Sequence, residues 1–245
     1  MSKKPTECLN CSTTLKAEFE YCPSCGQETL NTTESLGEFF KHFLSDYFTF
    51  DSKILRSFGP LFFKPGFLTN EFLAGKRVRY IAPLRMYIFI SLAFFLVLSL
   101  LGDSSIELQS EQELWNNFFG SYLPKVFFVL LPIFALLLSL LYIRQKATFI
   151  RHFVFSLHFH SFLFMVTLFY LLLSELFSKF GLIGINQVVS ICLGISFLVY
   201  LFFGLRKSYH QGYWKTFLKF TLLVFAYGSI VIVITAFTLL LASQV

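Results

Sequence analysis

Residues 153–176, FVFSLHFHSFLFMVTLFYLLLSEL, decide the fold. At 1.5 Å per residue this run reaches roughly 36 Å as a helix, enough to cross the ~30 Å hydrocarbon core of a bilayer. It carries one charge, Glu175. A run this long and this poor in charge meets the length and hydropathy rule for a membrane span. Phe153–Leu176 is therefore read as a transmembrane helix.

Four further stretches meet the same rule: Ala82–Leu101, Tyr122–Ile143, Leu182–Gly204 and Phe217–Leu241. The composition agrees, being 56% hydrophobic and 14% charged, with 35 phenylalanines in 245 residues. A soluble domain has about 25% charged residues. The expected fold is an all-α membrane protein, a bundle of about five transmembrane helices over residues 82–245. Pro124 stands at a helix start, whereas Pro132 lies inside the second span and is expected to kink it. Between the spans, Arg144–His152, Phe177–Gly181 and Leu205–Thr216 are short connectors, and Gly102–Ser121 is the one sizeable loop.

Charge sets the orientation. Met1–Leu30 holds no apolar signal segment, so the N-terminus is expected to stay on the side of synthesis. With that end inside, all but two of the 20 Lys and Arg fall on the cytoplasmic side. The exceptions are Lys125 and Lys179. The outer loop carries Asp103, Glu107, Glu111 and Glu113. The positive-inside rule thus predicts a cytoplasmic N-terminus and an external C-terminus. It also accounts for the net charge of +6 through anionic lipid at the inner surface, with no nucleic-acid partner expected.

Ahead of the spans, residues 1–30 contain Cys8-x2-Cys11-x10-Cys22-x2-Cys25. Paired CxxC knuckles can place four thiolates at the corners of a tetrahedron, which suits a structural zinc ion. About 30 residues cannot bury a self-sufficient core, and in a reducing cytosol metal is the natural staple. A rubredoxin-like iron site and a thiol redox switch are the alternatives. Gly26 suits a tight turn that aims backbone N–H groups at a thiolate.

Residues 31–81 read as cytoplasmic or interfacial amphipathic helices. Ser35 and Glu38 form a capping box before Leu36, Phe39, Phe40, Phe43, Leu44, Tyr47 and Phe48 at helical spacing. A second helix from near Asp51 sets Ile54, Leu55, Phe58, Leu61 and Phe62 on one side. Lys64-Pro65-Gly66 turns the chain into a shorter helix that runs to Gly75. These pieces are too short and too charged to span. They are expected to lie in the interface plane or to cap the bundle from below, a small soluble helical domain being the alternative.

Three constellations could carry function. On the third span His152, Ser156, His160, Thr167, Ser174 and Ser178 share an arc of about 80° at 100° per residue. This polar stripe is expected to face the bundle interior from end to end, because lipid would leave it unpaired. His152, Ser156, His160 and Thr167 are the candidate buried site; His158 projects to the far side. A metal, haem or proton-relay role is the sharp reading, and hydrogen bonding to neighbouring helices the plain one. Lys76, Arg77, Arg79 and Arg85, with Tyr80 and Tyr87, straddle the start of the first span and could contact anionic lipid. Small residues, Thr221, Gly228, Thr235 and Ala242 in the fifth span and Ser190 with Gly194 in the fourth, are expected to be close-packing seams. Cys192 reads as apolar filler.

The order Cys22-Pro23-Ser24-Cys25-Gly26-Gln27, then Lys64-Pro65-Gly66, then Gly75-Lys76-Arg77-x-Arg79-Tyr80-x-x-Pro83 resembles a bacterial family of zinc-ribbon membrane proteins defined only as a domain of unknown function. The segments His152–Phe162 and Tyr209–Gln211 fit the same pattern, so the resemblance covers most of the chain. Lys64 departs from it, since Arg is expected before Pro-Gly. The resemblance implies a multi-pass protein of the bacterial cytoplasmic membrane, and it implies no activity or catalytic residue.

Three function classes follow. The first is a non-catalytic adaptor or sensor whose ribbon binds a cytoplasmic protein. The second is a transporter or lipid-handling protein using the polar face of the third span. The third is a membrane-embedded enzyme built on His152, His158 or His160. No HExxH motif or paired intramembrane carboxylates favour the third. The oligomeric state is left open by the sequence.

Overall fold

A computed structural model describes residues 6–16, 18–29, 37, 53–102, 122–145 and 147–242. The amphipathic helix expected over Leu36–Phe48 and the Gly102–Ser121 loop lie essentially outside the described residues. Among those described, seven α-helices follow a small cysteine-bearing head. They are α1 Lys53–Phe63, α2 Phe67–Leu73, α3 Pro83–Gly102, α4 Leu123–Leu141, α5 Phe149–Lys179, α6 Ile183–Tyr209 and α7 Tyr213–Ala242. The last five are long and apolar enough to cross a membrane, so the fold is an all-helical membrane bundle.

The helices outrun the apolar stretches that announce them. α5 begins at Phe149 and ends at Lys179, and α6 continues to Tyr209, past the expected end at Gly204. The expected connector Leu205–Thr216 shrinks to His210–Gly212. Hydropathy senses where the lipid ends, whereas a helix stops where its backbone loses its ladder or turns. At 31 residues, α5 is roughly 46 Å long and overshoots the hydrocarbon core.

α5 is the hub. Its ribbon-end half packs against α2, α3, α4 and α6 together, and His152, Val154 to Phe162, Phe164 and Met165 are buried all round. Aromatic rings fill the joints. Phe164 meets Phe94, Phe95 and Phe127 with centroids 5.0, 5.5 and 4.7 Å away. Phe162 lies flat on Tyr200 at 3.6 Å. The tilted and edge contacts of Phe164 add stability beyond area burial.

The far half of α5 is different. Phe169, Leu172, Leu173 and Leu176 are exposed, as lipid-facing residues would be, and Ser174 is only half-buried. The polar stripe therefore does not face the interior from end to end. Ser174 instead returns its hydroxyl to the Leu171 carbonyl, which satisfies it without a neighbouring helix. The expected seams also stand open: a Cβ placed at Gly194 or Gly228 would meet nothing within 4 Å.

Helices α1 and α2 cap the bundle. Leu61 and Leu68 belong to the same buried cluster as Tyr87, Phe134 and Tyr209. Ser57 donates to the Lys53 carbonyl and accepts the Ile81 N–H, tying α1 to the segment that enters α3. Leu55, expected on the apolar side of α1, is instead exposed at 78%. The Lys64-Pro65-Gly66 turn has a steric reason. Gly66 has φ +73°, and a Cβ there would sit 2.9 Å from the Gly204 carbonyl and 2.7 Å from Ser208 Oγ. Only glycine fits both the left-handed backbone and that approach.

Candidate functional site

The head is built from two equivalent knuckles offset by fourteen residues. Cys8 N–H donates to the Thr13 carbonyl and Cys22 N–H to that of Gln27; Ser12 N–H closes on Cys8 and Gly26 N–H on Cys22. Single antiparallel bridges, Glu7 with Thr14 and Tyr21 with Glu28, repeat the same offset. Ser12 and Gly26 take positive φ at the same place in each turn. The Gly26 turn is as expected, but its N–H goes to the Cys22 carbonyl and not to a sulfur. This fourteen-residue repeat was hidden in the sequence, where only the cysteines recur.

The knuckles bring all four sulfurs together. Cys8, Cys11, Cys22 and Cys25 Sγ atoms lie within 4.8 Å of one another. Cys8 to Cys25 and Cys11 to Cys22 are 3.6 Å apart, far beyond a disulfide. A tetrahedron with ~2.3 Å metal–sulfur bonds has edges of about 3.8 Å. The donor set therefore fits one thiophilic ion. Burial pushes the Cys8 thiol up to about 12. The Thr13 hydroxyl, 3.2 Å from Cys11 Sγ, and then the Thr13 backbone N–H pull Cys11 down to about 6. A metal cation would favour the thiolate at both positions. Around the sulfurs Leu15 and Phe19 make a satellite core separate from the bundle's.

The head is not a free knob. Gln27 is buried, and its side-chain amide donates to the Gly75 carbonyl at 2.7 Å and accepts the Arg77 N–H at 3.1 Å. One amide thus completes two backbone groups some fifty residues away. Leu9 packs so closely that a Cβ on Gly75 would come within 2.6 Å of its Cδ1. The fourteen-residue repeat makes the asymmetry plain: Thr13 turns inward to a sulfur, whereas its counterpart Gln27 reaches outward.

The boundary cations are partly engaged. Lys76 Nζ lies 2.8 Å from Glu71 Oε1. Arg77 lies over Phe72 and Arg79 over Tyr80, at 5.2 and 5.7 Å. Arg85 stands in the first turn of α3. Lys76 also lines a small pocket with Tyr80, Ile81 and His158 of α5.

On α5 the structure separates the candidate residues into two hydrogen-bonded groups. His152 Nδ1 meets the Tyr209 hydroxyl at 2.7 Å, and Tyr209 stacks on Tyr142 at 3.7 Å. Two turns and more along, His160 Nδ1 lies 2.8 Å from the Ser156 carbonyl, and its Nε2 lies 2.8 Å from the Tyr227 hydroxyl. A carbonyl only accepts, so Nδ1 carries the proton and Tyr227 donates to Nε2. Ser156 Oγ donates to the Leu131 carbonyl on α4. Thr167 is half-buried and joins neither group. His158 faces away, with Nδ1 3.0 Å from Thr69 Oγ1 on α2. The three histidines thus point to three different helices and do not converge.

Sequence reading missed Gln27, Tyr209 and Tyr227 as partners. Tyr227 carried a usable signal, since a phenolic hydroxyl deep in an apolar span must find an acceptor.

Residues 51–95 match a family model described as a protein of unknown function (DUF3667). The matched stretch holds α1, α2, Gly66, the Gly75–Arg77 docking segment and the first half of α3. It includes neither the cysteine head nor the third span. No curated protein and no solved structure matches the chain.

Proposed function

We propose that the chain is a non-catalytic membrane adaptor or sensor whose metal-stapled ribbon presents a cytoplasmic protein-binding face. The reading rests on the two hydrogen bonds of Gln27 to Gly75 and Arg77. They hold the ribbon in one orientation against the segment that enters the first span, so the state of the ribbon is felt by the bundle. The metal is zinc, the choice that four thiolates in a redox-inert structural site favour. The N-terminus is cytoplasmic and the C-terminus external, in a bacterial cytoplasmic membrane. Arg79 and Arg85 sit near the inner headgroups and contact anionic lipid there. In this reading the third-span histidines are structural, and both nitrogens of His160 are already spoken for.

Tyr21, 60% exposed on the second knuckle, offers a place to test the partner. A photoreactive residue at that position should yield, in intact cells, a crosslinked adduct with a cytoplasmic protein of defined mass. The adduct should disappear in Cys22→Ser. Crosslinking to lipid alone, or an adduct indifferent to Cys22→Ser, would remove the adaptor reading.

A further inference from the structure

A basic groove opens at the ribbon end, between the Lys64-Pro65 turn and the short α6–α7 connection. It is an open surface groove of about 830 Å³, suited to a group presented from outside. Lys64, Arg206, Lys207 and His210 line it together with Phe63 and Phe203, and no carboxylate stands among the described lining residues. Lys64 and Lys207 come from different elements, yet each ammonium lies 5.4 Å from the same Phe67 ring. Arg206 lies flat over Tyr213 at 3.8 Å. Its Nε is shut off from solvent and hydrogen-bonds to none of the described residues. Gathering cations without a counter-charge costs repulsion energy, which an anion in the groove would relieve.

The walls are fixed. Gly66 presses on Gly204, and Asn70 Nδ2 donates to the Lys207 carbonyl at 3.1 Å. α6 ends at Tyr209 and α7 begins at Tyr213, so the opposite dipole ends meet beside the groove and its positive field comes from the side chains. Trp214, exposed at 81%, is the kind of amphipathic aromatic residue that settles at headgroup level; Phe63, in the groove wall, is exposed at 84%. We propose that this groove binds a phosphate group, carried by an anionic lipid headgroup or by a soluble phosphate ester. Arg206 would grip it through its planar fork, and Lys64 and Lys207 would supply point charge from either side. This site is distinct from the cations at residues 76–85 and does not rest on the adaptor reading.

The test uses the full chain in neutral detergent. Trp115 and Trp214 are its two tryptophans, so Trp115→Phe leaves Trp214 as a fluorescence reporter beside the groove. Short-chain phosphatidylglycerol should bind roughly 30-fold tighter to this protein than to the same protein carrying Arg206→Gln with Lys207→Gln, two charges lost. Phosphatidylcholine should bind weakly and alike to both. Lys64→Gln, on the opposite wall, should lose about fivefold and serves if the double variant fails to fold. Competition by inorganic phosphate, or its binding alone, would assign the soluble source, and lipid binding that phosphate does not displace would assign the headgroup. Equal affinity in wild type and folded variants, no preference for phosphatidylglycerol together with no phosphate binding, or no binding at all would overturn the proposal.

Discussion

Gln27→Ala removes both hydrogen bonds that hold the ribbon to the boundary segment, the amide donating to Gly75 and accepting from Arg77. Each is worth about 1 kcal/mol net, so docking should weaken by about 2 kcal/mol, or roughly 30-fold. The Arg77 N–H reports this directly, because its acceptor is the Gln27 side chain. Its hydrogen exchange, followed by mass spectrometry on peptides spanning residues 74–80, should quicken by about that factor if undocking gates exchange. Gln27→Glu sharpens the test. A carboxylate still accepts from Arg77 but faces the Gly75 carbonyl with like charge, so it should lose at least as much as alanine. Thr13→Ala, at the equivalent place in the first knuckle, touches Cys11 and should leave Arg77 protected. An Arg77 amide that exchanges at the wild-type rate in both Gln27 variants would refute the docked ribbon.

Metal removal should act earlier in the same chain of contacts. One thiophilic ion per chain is expected in purified protein, and Cys22→Ser or chelation should expose residues 6–29 to protease while α3–α7 stay inserted. Gly66→Ala should destabilise the cap by about 2 kcal/mol or more, since it combines φ +73° with an approach of 2.9 Å to a backbone carbonyl; thermal unfolding in detergent would show it, and a neutral result would disprove the close approach of α2 to α6. His160→Leu should cost about 1–3 kcal/mol by leaving the Tyr227 hydroxyl unpaired. Adding Tyr227→Phe should recover part of that loss, and strict additivity of the two changes would mean the pair is not bonded.

What the sequence revealed follows the physics of each signal. Span count was legible because bilayer burial demands some twenty apolar residues in a row, and all five stretches became helices. Span ends were not: residues 205–209 carry Arg206, Lys207 and Ser208, which hydropathy scores as loop although α6 runs through them. The cysteine cluster was legible because CxxC spacing is a property of the local backbone. Its docking was not, since Gln27 and Gly75 are nearly fifty residues apart and neither belongs to an element with a period. The polar stripe of the third span was half legible. His152, Ser156 and His160 are all buried, but helical geometry could not tell that neighbouring helices cover only the ribbon-end half.

That uneven cover explains a pattern otherwise puzzling in α5, where His158 and His160 point to opposite sides and both are buried. A span at the edge of a five-helix bundle would give one of those sides to lipid. Here α2 occupies it, and Thr69 supplies the partner that lipid could not. The cap is therefore part of the bundle's polar satisfaction and not an appendage to it. That helix ends at Leu73 with Ala74 as its cap, and the segment just beyond it carries Gly75 and Arg77, the two residues that Gln27 clasps. Contacts thus run without a break from the Cys22–Cys25 knuckle, through Gln27, along α2, to His158 in the hub helix. Each link is a directional hydrogen bond or a glycine approach with little room to adjust, and loosening the ribbon should be felt first at the ribbon-end half of α5, where packing is dense, and last at its lipid-exposed half.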